Sequence, residues 1–323
     1  MNRAWLRDSI RTLSVCALAG TVGCGSDTAA AGYAVRDSAG IRVVENGAAD
    51  APGLAEWRIA AAPTVDVGVL EGAPEYQLFR VSGAERLSDG RLVVANTGTQ
   101  ELRFYDAQGR YLKSVGREGD GPGEFRMGFG LMRLRGDTLA VFDWSLRRIS
   151  WFAPDGVFVR SAAVAERDAG TFPIVRGAFA DGSFFALAGP VFRPGEVPKG
   201  SFQRDTRYFR VGPEGAVADT LGSFPGPEEY NGQEGGGFFV TSLPLGAAPA
   251  YAVAGERFWF GDGRHARVGT YDETGRLRAL VRWQQAARPV TSRDVEAEKA
   301  RRLEGSQDPN WQRIVESMFA DMP

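Results

Sequence analysis

The sequence predicts an all-β fold of repeated antiparallel sheets, followed by a short helical segment. Glycine makes up 42 of the 323 residues, nearly twice the average share of about 7%. Short runs that alternate apolar and polar residues begin near residue 40, and glycine-rich turns separate them. This pattern is typical of strands joined by hairpins. No long stretch has helical periodicity before about residue 291, so the β prediction covers residues 40–290.

The strands recur in four copies, and each copy contains a turn that ends in glycine. In the first copy an apolar strand, 92–96, precedes a second strand and the turn that ends at Gly109. Four strands and three hairpins in about 40–50 residues make one blade of a β-propeller. The longer third and fourth periods require insertions, which we assign to residues 189–206 and 225–237. The equivalent glycines of the other copies are Gly156, Gly215 and Gly275.

Residues 116–125 form a glycine-rich crossing between blades, with the sequence G-R-E-G-D-G-P-G-E-F. This crossing resembles the NHL-type six-bladed β-propellers, and especially the bacterial lipoproteins of that shape. The resemblance covers roughly residues 40–323 and implies six blades, with a helical insertion after the fourth. Glu118, Asp120 and Glu124 lack the spacing of an EF-hand loop. We therefore interpret the segment as a structural turn, with a metal loop as the alternative.

The N-terminus has the features of a bacterial export signal. Arginines in residues 1–12 precede an apolar run at 13–22, which is too short to span a bilayer. The following Gly23-Cys24 resembles the lipobox of bacterial lipoproteins, although Thr21 stands where that family usually has Leu. The resemblance implies a signal peptide at 1–23, diacylation of Cys24 and a tether at 24–39, at the outer membrane or the periplasmic face of the envelope. An ordinary signal peptide, or a soluble protein with an apolar start, is the alternative.

The C-terminal segment, residues 291–323, is predicted to form two helices. Thr291 or Ser292 can cap the first helix, and Asp308-Pro309 can start the second. The second helix carries an apolar stripe at helical spacing, which usually packs into a core; a partner-binding helix is the alternative. The stripe consists of Trp311, Ile314, Val315, Met318 and Phe319.

The four repeats are fewer than the six blades that the resemblance implies. We therefore expect a curved, incomplete arc of four blades, in which residues 57–69 form the strand that should finish the last blade. An open arc exposes sheet edges through which it can associate. The alternative is a closed four-bladed ring in which residues 57–69 pair with the fourth blade.

Polar residues follow the second apolar strand in three of the repeats. These residues are Asn96, Asp143 and Asp262, and equivalence among the repeats would place them on one rim of the central channel. Such side chains usually cap the turn through its own backbone. The alternative is a ring of oxygen ligands for Ca²⁺, which would resemble the calcium-dependent gluconolactonase-type propellers.

Composition excludes several classes of function. The formal net charge of -2 gives no signal for nucleic acid. The single histidine, His265, excludes a histidine dyad or a three-histidine zinc site, and no G-x-S-x-G elbow is present. Enzyme activity is therefore unsupported by any catalytic constellation, and calcium is the one cofactor that the pattern suggests.

Two functions follow from these observations. The first is a lipid-anchored binding or scaffold module of the cell envelope, whose partner is an envelope protein or a small molecule. The second is a calcium-dependent lactonase or esterase in which Asp143 and Asp262 hold the metal as a Lewis acid. For the binding module, the predicted contacts lie in the third repeat, at Phe192, Arg193, Phe202 and Tyr230.

Overall fold

A computed structural model describes residues 33–48, 58–126, 128–168, 171–189, 197–234 and 237–320. Nineteen strands form four β-sheets in these ranges, and two short helices follow them. The all-β class and the C-terminal position of the helices agree with the prediction. The predicted signal peptide, Cys24, Trp57, Phe192 and Arg193 lie outside the described residues.

The first two strands, β1 (Tyr33–Ser38) and β2 (Ile41–Ala48), form an antiparallel hairpin. Strand β1 begins inside the range that was predicted to be a tether, so the folded part starts earlier than residue 40. Both strands belong to the fourth sheet, whose other strands lie in residues 250–284.

The next eight strands form two four-stranded antiparallel sheets, each with its strands in chain order. The first sheet consists of β3 (Val81–Arg86), β4 (Leu92–Asn96), β5 (Glu101–Tyr105) and β6 (Tyr111–Val115). The second sheet consists of β7 (Phe129–Arg133), β8 (Leu139–Asp143), β9 (Arg148–Phe152) and β10 (Phe158–Ala163).

The third sheet has a long hairpin where the sequence predicted loop insertions. Its third and fourth strands pair with each other from Val211 opposite Val217 to Gly200 opposite Asn231. Residues 200–206 alternate between more and less exposed side chains, which is why they continue as strand. The sheet consists of β11 (Pro173–Ala178), β12 (Phe184–Ala188), β13 (Gly200–Val211), β14 (Val217–Glu234) and β15 (Gly237–Ser242).

The fourth sheet is completed by β2, and not by residues 57–69, whose pairing with the fourth blade was the alternative to an open arc. Strand β2 pairs in parallel with the last strand of the sheet, and its Val43 is buried there. Residues 58–69 contain no strand; Val65 and Val67 instead approach the turn at Gly109. The other strands of this sheet are β16 (Ala250–Ala254), β17 (Arg257–Gly261), β18 (Arg267–Asp272) and β19 (Leu277–Gln284).

The four turn glycines identified in the sequence occupy equivalent turns. Each N–H donates to the carbonyl three residues earlier, at 2.7–3.0 Å. Their φ angles lie in the left-handed region that only glycine adopts without strain. These angles are 83° at Gly109, 81° at Gly156, 83° at Gly215 and 84° at Gly275.

The sheets pack face to face in chain order, as the blades of a propeller do. One apolar cluster joins the first and second sheets, a second joins the second and third, and a third joins the third and fourth. The first strands of the sheets contact each other in the same order; we call β3, β7, β11 and β16 the inner strands. Within the described ranges, no apolar cluster joins the fourth sheet to the first.

Part of the segment 58–80 covers the outer face of the first sheet. Arg103, which is buried, donates to the carbonyl oxygens of Pro74 at 2.8 Å and Gln77 at 3.0 Å. The hydroxyl of Tyr105 donates to the carbonyl of Glu75 at 2.7 Å. This segment therefore occupies the side of the first sheet that a preceding blade would cover.

The two helices, α1 (Ser292–Leu303) and α2 (Pro309–Ala320), pack on the long hairpin of the third sheet. Thr291 and Asp294 form a capping box at the start of α1. The stripe on α2 buries Val315, Met318 and Phe319 against Tyr230. Tyr230 is therefore a core residue, and not the exposed contact that was predicted. Neither of these helices is long and apolar enough to cross a bilayer.

Candidate functional site

Asn96 and Asp143 occupy equivalent places, as the sequence predicted. Each ends the second strand of its sheet and lies opposite the first residue of the inner strand, Val81 in the first sheet and Phe129 in the second. Both side chains are fully or almost fully buried. They are therefore part of the framework beneath the rim.

Asp262 lies one residue further along its repeat. In the fourth sheet the equivalent place belongs to Gly261, opposite Ala250, and in the third sheet to Ala188, opposite Pro173. The predicted equivalence of three residues thus holds for two. The turn after β17 is longer than the turn after β8, so its capping aspartate stands one position later.

Asn96 and Asp143 each bind the segment that precedes the inner strand of their sheet. Oδ2 of Asp143 accepts the backbone N–H of Arg126 at 2.6 Å. Its Oδ1 accepts the backbone N–H groups of Ser145 and Leu146, both at 2.9 Å. In the first sheet, Oδ1 of Asn96 accepts the backbone N–H of Phe79 at 2.6 Å. These side chains thus hold their turns and the entering segments together.

Asp262 caps its own turn and pairs with Arg267 of β18 at 3.3 Å. Its Oδ1 accepts the backbone N–H groups of Arg264 at 3.0 Å and His265 at 2.9 Å, and its Oδ2 lies 2.8 Å from Nδ1 of His265. Burial would raise the pKa of Asp262, but these hydrogen bonds outweigh it and hold the pKa at about 2. Over the ranges that the structure covers, no three His, Cys, Asp or Glu side chains are arranged to hold a metal ion.

A cavity of about 480 Å³ opens between the inner strands of the first three sheets. We call it the inner-strand cavity. Its walls are mainly apolar, and no Asp or Glu side chain of the described part of the chain lines it. The residues that define its chemistry are Ser82, Gly128, Trp144, Phe172, Ile174 and Arg176.

Trp144 forms one wall and follows Asp143 directly in the chain. Its backbone N–H donates to the carbonyl of Gly128 at 3.3 Å, and its indole lies against the same glycine. A β-carbon at Gly128 would lie 1.5 Å from Nε1 of Trp144, and the φ of Gly128 is +88°. The indole is 50% exposed although it is fixed on this side. It therefore presents a fixed aromatic surface to the cavity.

Phe172 forms a second wall and is also held in place. The guanidinium of Arg147 lies 4.3 Å from the centroid of its ring, in a cation–π contact. Arg147 is itself paired with Glu166 at 2.7 Å. The carbonyl of Phe172 accepts the backbone N–H of Gly189 at 2.9 Å.

The two polar side chains of the cavity both lie at β-bulges. The pairing register shifts at Ser82 in β3 and at Arg176 in β11. A bulge leaves one residue unpaired and redirects its side chain. The hydroxyl of Ser82 donates to the carbonyl of Phe129 at 2.6 Å. Arg176 is exposed and has no hydrogen bond or ion pair with any residue that the structure describes.

A second cavity, of about 440 Å³, lies at the base of the long hairpin of the third sheet, near Ala188. Its cations differ from Arg176 because they have carboxylate partners. Arg204 lies 3.6 Å from Glu229, and Arg207 lies 2.9 Å from Asp168. Burial raises the pKa of Glu229, and Arg204 opposes this shift. Both arginines of this cavity have carboxylate partners, so the inner-strand cavity is the stronger candidate for an anion site.

Comparison with known proteins gives structural likeness without a family. No protein family and no curated protein matches the chain. A Bacteroides fragilis protein that is inferred to be exported is 11% identical to this chain. Its TM-score is 0.36 over 66% of this chain and 74% of its own. A Bacteroides caccae protein of unknown function is 12% identical, with a TM-score of 0.32 over 77% and 82%. The chain spans about half of streptogramin B lyase, at 14% identity and a TM-score of 0.33 over 61% of this chain and 53% of the lyase. No activity is transferred from these values.

Proposed function

We propose that this protein is an extracytoplasmic binding module of the β-propeller type and that its ligand occupies the inner-strand cavity. The half-exposed indole of Trp144 carries this proposal, because it is fixed against Gly128 and faces an open, mainly apolar space. Small-molecule sites are concave, mostly apolar and about 300–1,000 Å³ in volume. An aromatic side chain that is rigid before binding loses little conformational entropy when a ligand covers it.

Binding fits the cavity better than catalysis does. Its hydroxyl group, on Ser82, donates to a backbone carbonyl. The single histidine, His265, is in the turn after β17, where it bonds to Asp262. A nucleophile needs an adjacent base, and the described residues that line this cavity include none.

The envelope location and the lipid anchor at Cys24 are part of the proposal. They are supported by the arginines, the apolar run and Gly23-Cys24 near the N-terminus. Mass spectrometry of the membrane-extracted protein tests both together. We expect a diacylated N-terminal Cys24 and no peptide that contains Cys16. An unmodified peptide that spans Gly23-Cys24 would contradict the anchor.

We also assign the sheets to the six-bladed NHL-like type. The crossing at 116–125 supports this assignment, since Phe125 is buried in the cluster between the first two sheets and Gly116 lies against its ring. An experimental structure tests it through the rotation between successive sheets. Six blades require a sixth of a turn for each sheet, whereas a quarter of a turn would indicate a four-bladed ring.

Fluorescence titration with the neutral dye N-phenyl-α-naphthylamine tests the binding site. We expect the purified protein to bind the dye and W144A to bind it about tenfold more weakly, which corresponds to the loss of one aromatic contact. W283A is the matched control, because Trp283 lies on β19 outside the inner-strand cavity. Equal affinities in W144A, W283A and the unaltered protein would contradict the proposed site.

A further inference from the structure

We infer that the ligand of the inner-strand cavity is an amphipathic anion, with a single carboxylate or sulfonate group that Arg176 binds and an apolar, flat body. This inference rests on the proposed function and adds the chemical class of the ligand. It is carried by the position of Arg176 in the cavity wall and by the lack of a carboxylate partner for Arg176 among the described residues.

Arg176 is directed to the cavity by the fold. Strand β11 is an inner strand and pairs on one side only, with β12. The register shifts between Val175 and Gly177, so Arg176 is the residue left over in the bulge. Bulges of this kind reorient a side chain at the edge of a sheet. Gly177 beside it approaches Val253 of the fourth sheet, which fixes the backbone of the bulge.

The charge of Arg176 is uncompensated in the part of the chain that the structure describes. Other arginines near cavities are paired: Arg204 with Glu229, and Arg207 with Asp168. Among the described residues, the lining of the inner-strand cavity contains no carboxylate, and Arg176 is its one charged side chain. An uncompensated guanidinium beside an apolar wall favours an anion over a neutral or cationic ligand.

The rest of the cavity determines the body of the ligand. Trp144 and Phe172 are both fixed in place, and they offer aromatic surfaces on which a flat apolar group can stack. The guanidinium is planar and presents paired donors that match a carboxylate in a bidentate geometry. The same donors serve a sulfonate, so the inference concerns the shared chemistry of an anionic head on an aromatic body.

Two dyes with the same ring system separate the charge from the apolar contact. N-phenyl-α-naphthylamine is neutral, and anilinonaphthalene sulfonate is its sulfonated analogue. The measured quantity is the ratio of the two dissociation constants in each variant. We expect the unaltered protein to prefer the sulfonate, and R176Q to lower this preference by about tenfold or more, as for the loss of a charge-assisted hydrogen bond.

R135Q is the matched control, since Arg135 is an exposed arginine at the opposite end of the second sheet. We expect it to leave the ratio unchanged. The preference for the sulfonate should also weaken as salt is added, because exposed charges are screened. R176K should fall between the unaltered protein and R176Q, because it keeps the charge and loses the planar fork.

The outcomes distinguish the proposed binding site from the proposed anionic class of its ligand. If the neutral dye binds and W144A weakens it, but R176Q and R135Q give the same ratio as the unaltered protein, the anionic class is wrong and the site stands. If neither dye responds to W144A, the proposed function itself is wrong. If both dyes respond to W144A and the ratio falls in R176Q but not in R135Q, both are supported.

Discussion

The buried carboxylate of Asp143 accepts the backbone N–H of Arg126 at 2.6 Å, and it thereby joins the turn that carries Trp144 to the segment that leads into β7. Its other oxygen accepts two backbone N–H groups of the same turn. Asp143 was predicted to bind at a channel rim. In the structure its side chain is buried and accepts three backbone N–H groups beside the cavity wall.

Removal of this carboxylate should weaken both the fold and the site. In D143A three backbone N–H groups lose their acceptor in a buried place, so we expect a loss of about 3 kcal/mol in the free energy of unfolding. We also expect weaker binding of the neutral dye, because the turn before Trp144 is no longer held. Urea denaturation and dye titration measure the two effects.

The matched control is D155A, because Asp155 caps an exposed turn of the same sheet with one bond, to the N–H of Val157 at 3.1 Å. It should change stability by about 0.5 kcal/mol. If D143A loses stability but binds the dye normally, Asp143 has a structural role alone.

Gly128 should tolerate no side chain, and Gly136 provides the comparison. Both have positive φ, +88° and +67°, but a β-carbon meets nothing within 4 Å at Gly136 and meets Trp144 at Gly128. We expect G136A to cost about 1 kcal/mol for its backbone conformation. G128A should cost a further 1–3 kcal/mol or so for the steric clash, and it should weaken dye binding. Equal effects of the two changes on stability and binding would contradict the contact.

The packing of residues 58–80 on the first sheet should depend on Arg103. In R103A two carbonyl acceptors and the pairing with Glu101 at 3.0 Å lose a buried partner. We expect a loss of about 2–3 kcal/mol and faster proteolysis within 58–80, measured by limited digestion and mass spectrometry. R110A is the control, since Arg110 pairs with Asp106 on the surface. Unchanged digestion in R103A would show that other contacts hold the segment.

Acid should destabilise the fourth sheet through Asp272. Burial would raise the pKa of this carboxyl, but hydrogen bonds from Thr274, Arg276 and Arg278 outweigh it and lower the pKa to about 2. A depressed pKa adds stability above the unfolded value of about 3.9, and this stability is lost as pH falls toward 2. We therefore expect the drop in urea midpoint between neutral and acidic pH to be smaller in D272N.

D219N is the control for this effect, because Asp219 is exposed on β14. Its pH dependence should follow that of the unaltered protein. Asp262 also has a pKa of about 2, so D272N removes only part of the acid sensitivity. A D272N curve parallel to the unaltered one would contradict the predicted linkage.

Local pattern was sufficient to predict the class of the fold and its turns. Gly109, Gly156, Gly215 and Gly275 adopt nearly the same φ, since each closes a hairpin between strands of alternating polarity. The capping box at Thr291 was equally readable, because it depends on residues three positions apart.

The pairing of strands that are distant in the chain could not be predicted from the same pattern. Residues 57–69 alternate as a strand would, but β2 occupies the edge of β19, and Val65 and Val67 lie near the turn at Gly109. Asp262 was placed with Asn96 and Asp143 because register between sheets cannot be counted along the chain.

The residues of the inner-strand cavity were missed for related reasons. Arg176 depends on a bulge, which has no sequence signature of its own, and Phe172 depends on the neighbouring sheet. Trp144 did offer a signal: a large aromatic side chain directly after a turn-capping aspartate is unusual in a polar turn.

Hydrogen–deuterium exchange of the purified protein with and without the neutral dye tests the central claim most directly. The account predicts slower exchange on binding at residues 128–130, 142–144 and 172–176, the segments that contain most of the residues lining the inner-strand cavity. It predicts no change at 204–208 and 227–229, which line the second cavity. Protection of the second group without the first would contradict the assignment of the ligand site.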